Sequence, residues 1–368
     1  MKICYSIADQ TFEHSKSIGI LNVSLGLLAA LARQPGVEKL VVLANSSLPA
    51  IPDETGKISR VNCELPLRGK LSRMLWDQLV LYRAAHRSGC DWIFLPKGYA
   101  SFVRRPPLKM AAYVHDAMQE FYRDHYPGSF SRGEGWYFRE CLRATLRRSA
   151  RIFTNSDFTR GEVLRLAKAL GITPPPVDTA GIGFAGSKSG GAKQNQIMVI
   201  ISRWPHKLTR QAVDFVARWQ REVSYSGLIQ WVGDLPEGVY LPEAPKSRHS
   251  RRVPEAEYLS MMAESRALVY FSEYEGFGMP PVESILQGTA PVYSSIPAMS
   301  ESALGLGFPF VNGNYESFSS AMSQALQCPQ NQLSIWAESL LKHHHWEGVA
   351  SRIVHGLQNT REEASTLT

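Results

Sequence analysis

Short strand-like apolar runs alternate with helix-patterned stretches along most of this 368-residue chain. Residues 2–7 (KICYSI) read as a strand and, past a polar stretch and Gly19, are followed by an apolar-rich helix through about Ala32. Strand-like runs recur at Val37–Asn45, Arg60–Leu65, Trp92–Leu95, Lys109–Val114 and Arg151–Phe158. Between them Leu71–Ala85 carries apolar residues at helical three-and-four spacing. The pattern resumes at Ile197–Ser202, Gly227–Gly233, Ala267–Phe271 and Ala290–Ser294, with helices expected to about Val223 and over Ala256–Ser265. Parallel strands need crossover connections, so this alternation predicts an α/β chain built on doubly wound parallel sheets.

The length exceeds one small core and favours two domains. The boundary is expected at 173–195, where three prolines precede a Gly/Ser/Lys-rich stretch of linker character. The expected division is therefore 1–172, a linker at 173–195, and a second domain from 196. A hydrophobic share of 44% with 20% charged residues excludes a disordered chain. No run approaches the roughly 20 apolar residues of a membrane helix, and the first ten residues lack the apolar core of a signal peptide. Five widely spaced cysteines make no disulfide framework and no CxxC zinc pattern, so a cytosolic, reduced protein is expected.

The stretch Phe271–Gln287, FSEYEGFGMPPVESILQ, carries the most chemistry. A strand feeds a Gly-containing loop, and a helix starts near Pro280 and Pro281. That is the carboxyl end of a strand, where open α/β sheets bind ligands, and the free N–H groups of the first turn favour anionic or hydroxylated ones. Glu275 in the loop and Glu283 one turn into the helix, seven residues between them, make a two-point clamp for vicinal hydroxyls.

The fuller string E-G-F-G-x-P-x-x-E resembles the E-x7-E signature of retaining, GT-B-fold glycosyltransferases, in particular the large family 4. The resemblance implies two facing Rossmann-like domains with a cleft between them, the second domain spanning 196–345, and residues 346–368 as a helix crossing back to the first domain. It implies that Glu275 and the Gly276, Phe277, Gly278 and Met279 amides hold the donor sugar, and that Glu283 holds the nucleotide ribose. Arg203 and Lys207, four residues apart after a strand, suit a diphosphate, and the family's R-x-x-x-K pattern points the same way. Arg252 and Val253 fall where the family cradles the base. His115, ending the strand Lys109–Val114 beside Asp116, falls beside the donor sugar or on the reaction face. Gly19 falls near the donor phosphates or the acceptor, although the loop reads SIGILN without a double glycine. Gly181 and Gly183 replace the usual N-G-V turn, Glu301 is offset from a family glutamate, and Ser156 reads as a helix N-cap. Trp346 is expected to be structural.

No metal or other cofactor is expected: the spacing of His115, Glu120 and His125 fits no common zinc pattern, and adjacent histidines at 343–345 point apart. The net charge of +7 and pI of about 9.1 admit nucleic acid, an anionic membrane or phosphate-bearing substrates as partners. Basic residues gather at Arg68, Lys70 and Arg73, at Arg104, Arg105 and Lys109, and at Arg139, Arg143, Arg147, Arg148 and Arg151, with Tyr122, Tyr126, Trp136, Tyr137 and Phe138 nearby. Such a face suits an anionic bilayer or a lipid diphosphate acceptor, while no nucleic-acid signature accompanies it. The expected function is retaining transfer of a sugar from a nucleotide-diphosphate sugar, GDP-mannose by analogy with bacterial surface-polysaccharide mannosyltransferases, to a lipid-linked or polysaccharide acceptor. The expected place is the cytoplasm, with peripheral attachment on the membrane's inner face. A GT-B sugar-nucleotide epimerase and a non-catalytic nucleic-acid-binding α/β protein are the alternatives.

Overall fold

The computed structural model describes residues 1–10, 18–63, 67, 69–186, 192–242 and 246–365. It contains two compact units, one of Met1–Gly183 with His344–Thr368 and one of Phe184–His343. The boundaries thus fall at 183/184 and 343/344, where the composition pointed to 173–195 and the family resemblance to 345/346.

The first unit holds a seven-stranded, all-parallel sheet. Its strands are β1 (Lys2–Ser6), β2 (Lys39–Ala44), β3 (Ile58–Asn62), β4 (Trp92–Leu95), β5 (Lys109–Val114), β6 (Arg151–Thr154) and β7 (Val177–Thr179), in the order β3-β2-β1-β4-β5-β6-β7. Central strands are apolar on both faces because helices cover both sides, and β1, β4 and β5 are buried almost throughout. Tyr5 stacks on Phe94 with ring centroids 5.5 Å apart. The second unit holds a six-stranded parallel sheet of β8 (Gln196–Ile200), β9 (Leu228–Val232), β10 (Ser247–Ser250), β11 (Ala267–Tyr270), β12 (Ala290–Ser294) and β13 (Phe308–Phe310), ordered β10-β9-β8-β11-β12-β13. Its core packs Phe271, Phe310 and Phe318 beside Trp219 and Trp231.

Several sequence expectations are corrected. The 173–195 stretch is not wholly linker, since Val177–Thr179 pairs with β6 as an edge strand. Proline lacks an N–H but keeps its carbonyl, and the Pro176 carbonyl accepts the Ile152 N–H at 3.0 Å. The basic run 246–252 contains β10, an edge strand whose charged residues discourage further pairing. The strand expected over Arg151–Phe158 stops at Thr154, because Ser156 caps the helix Asp157–Ala169 by accepting the Thr159 N–H at 3.0 Å. The helix expected at Leu71–Ala85 runs from Lys70 to Arg87 with a π-helical segment at Trp76–Val80. Pro297–Ser302, expected as a turn, is a short helix with proline in its first turn.

Trp346 opens the helix Trp346–Ser365, and its ring lies against two glycines of the first unit. A Cβ on Gly26 would come within 2.4 Å of the indole, and one on Gly183 within 2.5 Å. His345 Nδ1 accepts the Gly348 N–H at 3.0 Å, so this histidine caps the helix. No helix among the described residues is long and apolar enough to cross a membrane.

Candidate functional site

In the second unit the carboxyl ends of β8 and β11 bring together two segments far apart in sequence. After β8, Pro205–Lys207 forms one 3-10 turn with proline fixing its start. After β11 the chain runs through Ser272–Gly278 into the helix Met279–Leu286. The Glu273 N–H donates to the His206 carbonyl at 2.8 Å, locking the loop to the turn. Asn312 holds the loop from the other side: its Nδ2 donates to the Ser272 carbonyl at 2.9 Å, and its Oδ1 accepts the Ser294 hydroxyl at 2.6 Å.

This framework joins Lys207 to Glu275. The Lys207 ammonium donates to Glu275 Oε1 and to the Tyr270 hydroxyl. The Tyr270 hydroxyl in turn donates to the same Glu275 oxygen at 2.7 Å. Burial alone would raise the Glu275 carboxyl, but the Lys207 ammonium, with the hydrogen bonds from Lys207 and the Tyr270 hydroxyl, reverses it and holds the group below its ordinary range. The imidazole of His206 is pushed down to about 3, first by burial and then by neighbouring Lys207, so it stays neutral.

Glu283, one helical turn further, is in a different state. Its Oε2 accepts the Tyr258 hydroxyl at 3.4 Å, and burial raises its carboxyl to about 7. Gly278, the residue before the helix, has φ +82, and a Cβ there would lie 2.4 Å from Met299 Cγ. Only glycine fits that close left-handed corner. Phe277 is buried against Phe184 at 6.1 Å between centroids, Gly276 is buried, and Met279 starts the helix.

Arg203 and Lys207 do not form a bare cationic pair as the spacing suggested. Arg203 is exposed with its guanidinium 5.5 Å from the Trp204 ring, whereas Lys207 is engaged by Glu275. Lys207, expected at the phosphate, and Glu275, expected at the sugar, thus belong to one network, and Arg203 lies against Trp204 beside it. Arg252 is exposed after β10, and Val253 packs on the apolar cluster of Met198, Val232, Met262 and Leu268.

In the first unit, His115 follows β5 and is 8% exposed. Its Nε2 lies 2.7 Å from the Pro96 carbonyl, which can only accept, so Nε2 carries the proton. Burial lowers the imidazole to about 4, leaving a neutral ring whose Nδ1 is an acceptor. Gly19 sits in the first turn of the helix Ile18–Arg33, and the loop before it, 11–17, lies outside the described residues, as does Arg68. Gly181 has φ +80 and its carbonyl accepts the Tyr113 hydroxyl at 2.7 Å.

Sequence reasoning missed a cluster at the ends of β1 and β4. Lys97 pairs with Asp9 and lies 3.7 Å from Asp77, which sits in the π-helical segment. It also missed Tyr270 and Tyr258. Tyr270 left a local signal, a phenol ending a buried strand five residues before Glu275, whereas Tyr258 lies 25 residues from Glu283 and left none. The broad basic face expected on the helix Arg132–Arg148 and beyond is largely consumed. Arg139 and Arg143 pair with Glu120 and Glu140, Arg151 with Asp178, and Arg148 donates to the carbonyls of Ser101, Phe102 and Arg104.

Residues 19–180 match the family model of Glycosyltransferase Family 4. That match lies in the first unit, whereas the E-x7-E string lies in the second. The O-antigen chain mannosyltransferase RfbU of Salmonella typhimurium is 26% identical over 223 residues, 59% of this chain and 60% of the relative. The chain thus matches less than two thirds of that relative's length. Among solved structures, sucrose-phosphate synthase from Thermosynechococcus elongatus superposes with a TM-score of 0.70 at 13% identity, over 99% of this chain and 100% of that one. WaaG, a glycosyltransferase involved in lipopolysaccharide biosynthesis, superposes with a TM-score of 0.67 at 12% identity, over 96% of this chain and 98% of that one. The fold is α/β of GT-B type, with two Rossmann-like units, and the resemblance to family 4 is borne out.

Proposed function

We propose, for a chain that carries the Glycosyltransferase Family 4 match over its first unit and the GT-B fold in both, that it moves a sugar from a nucleotide-diphosphate donor, with retention, to a lipid-linked or polysaccharide acceptor in surface-glycan synthesis. The observation that carries the proposal is the half-buried Lys207–Glu275–Tyr270 network at the carboxyl ends of β8 and β11, with Glu283 one helical turn beyond. Glu275, aligned by Lys207 and Tyr270, accepts hydrogen bonds from the donor sugar's hydroxyls beside the Gly276–Met279 amides. Lys207 and Arg203 offset the charge that grows on the departing nucleotide diphosphate. Glu283 accepts the two ribose hydroxyls, which requires the ionised carboxylate. Arg252 and Val253 flank the base. The oxocarbenium-like centre is stabilised mainly by the departing phosphate and these fixed dipoles. In the first unit the neutral His115 serves the acceptor side. No metal or other cofactor enters this scheme. Similarity to a mannosyltransferase supports GDP-mannose as donor.

The test is a thermal-shift panel of UDP, GDP, dTDP and ADP on the intact chain and on Glu283→Ala. A ligand that binds the native state raises Tm by mass action. One nucleotide, GDP on this reading, is expected to stabilise the wild type and not the variant. No shift with any of the four would overturn the transferase.

A further inference from the structure

The first unit contains a second cationic feature that the proposed transfer does not use. A cavity of about 600 Å³ is lined by Arg83, His86, Arg87, Val103, Arg104 and Arg105, together with Tyr82 and Pro107. Arg83, His86 and Arg87 lie three and four residues apart on the helix Leu81–Arg87 and so share a face. That helix leads into the amino end of β4, and Arg104 and Arg105 lead into the amino end of β5. The cavity therefore lies toward the sheet edge opposite the carboxyl ends that carry His115 and Lys97.

The loop that presents Arg104 is built before any ligand arrives. The Arg148 guanidinium donates to the carbonyls of Ser101, Phe102 and Arg104 at 2.7, 3.0 and 2.5 Å. Gln78 Oε1 accepts the Phe102 and Val103 N–H groups at 3.0 and 3.4 Å, and Ser101 Oγ accepts the Arg104 N–H at 3.0 Å. Among the described residues no carboxylate lines the cavity, and none of these four arginines forms an ion pair. Arg104 Nε is buried without a hydrogen-bond partner. Guanidinium groups without a carboxylate partner around an open cavity call for an acceptor there.

We propose that this cavity binds a phosphate-bearing ligand, a phosphate or diphosphate group, at a site separate from sugar transfer. Guanidinium forks match phosphate oxygens two at a time, and four of them around one cavity suit a multiply charged group. Val103, 55% exposed at the rim, adds an apolar contact that a lipid-borne phosphate would meet.

The experiment titrates inorganic pyrophosphate calorimetrically, at low salt, into the intact chain, into Arg83→Gln/Arg105→Gln and into Arg203→Ala/Lys207→Ala. Melting curves confirm that each variant is folded, and because Arg83 and Arg105 are exposed their replacement is expected to leave Tm unchanged. The expected result is a binding event that weakens by about tenfold or more in the first variant and persists in the second. In a second arm, sedimentation with phosphatidylcholine vesicles, with and without phosphatidylglycerol, separates the two sources of phosphate. Binding to the anionic vesicles that Arg83→Gln/Arg105→Gln abolishes assigns a lipid headgroup, and pyrophosphate binding without it assigns a soluble ligand. Absence of wild-type binding in both arms, or binding untouched by Arg83→Gln/Arg105→Gln, overturns the site. Failure of the nucleotide panel would leave this outcome unaffected.

Discussion

Each unit ends a buried strand region with a lysine facing carboxylates, yet the two clusters resolve the conflict between burial and charge in opposite ways. In the second unit Lys207 and the Tyr270 hydroxyl converge on one oxygen of Glu275, and their attraction outweighs burial, so that carboxyl is held below its ordinary range. In the first unit burial wins. It lowers Lys97 to about 8 and raises Asp77 to about 7, with Asp77 3.7 Å from the ammonium. Two donors on one oxygen stabilise the charged form of Glu275, whereas Lys97 gives its close contact to Asp9 and leaves Asp77 only the longer one. The neighbours of Glu275 thus favour its carboxylate in the second unit, whereas in the first burial disfavours the charged forms of both Lys97 and Asp77.

The sharpest test of this contrast replaces one carboxylate in each unit. Glu275→Gln is expected to lower the transfer rate by roughly a hundredfold or more, as loss of an aligned polar contact to the reacting sugar does. Asp9→Asn, which removes an ion pair to Lys97 that has no role in the proposed transfer, is expected to change it by less than about tenfold. Steady-state rates of both variants on the donor identified by the nucleotide panel decide the matter, and equal losses would break the comparison.

Next in size is backbone strain. Gly278→Ala combines a left-handed φ with a contact to Met299 and is expected to destabilise by about 2–3 kcal/mol. Gly128→Ala in the first unit has φ +99 but open space around it, so only the conformational part, about 1 kcal/mol, remains. Urea unfolding of the two variants should rank them in that order.

Glu283 allows a pH test. Its folded value of about 7 lies above the model-compound value of 4.5, so the folded state binds the extra proton. The stability this contributes is fully present below 4.5 and is lost as pH rises through about 7. Glu283→Gln should remove that slope, leaving the variant more stable than wild type above neutrality by about 1–3 kcal/mol. Nucleotide affinity should move the other way, rising with pH through about 7 in wild type only, since the ribose contact needs the carboxylate. Melting scans with and without nucleotide at pH 5, 6, 7 and 8 measure both trends. The smallest expected effect is that of Ser156→Ala, which removes the cap of a first-unit helix and should cost about 1 kcal/mol, read as a small fall in Tm.

Much of the fold was legible because its signals are local. A buried parallel strand is a short apolar run, and β1, β4, β5, β11 and β12 each stand within a residue or two of where that run predicts. Ser156 was recognised as a cap because capping involves only the next three residues. The edge strands β7, β10 and β13 were not read, because an edge strand is short and half polar and its existence depends on the neighbour that pairs with it. Glu275, Lys207 and Glu283 were found from spacing, but their partners were not. Lys207 and Glu275 are 68 residues apart, and no local pattern records that they share a proton-donating phenol.

By itself the chain's order of residues determined the α/β class, the two-part organisation and the identity of the strand-end loops that carry polar chemistry, since periodicity, proline and glycine act over a few residues. Only the tertiary structure decided which of those groups are charged. It buried Glu275 against an ammonium and Glu283 against a phenol, and it spent Arg139, Arg143, Arg148 and Arg151 on internal partners while leaving Arg83, Arg87, Arg104 and Arg105 around an open cavity. Ionisation depends on the distance to opposite charge and on the loss of water, and both are set by contacts between residues remote in the chain.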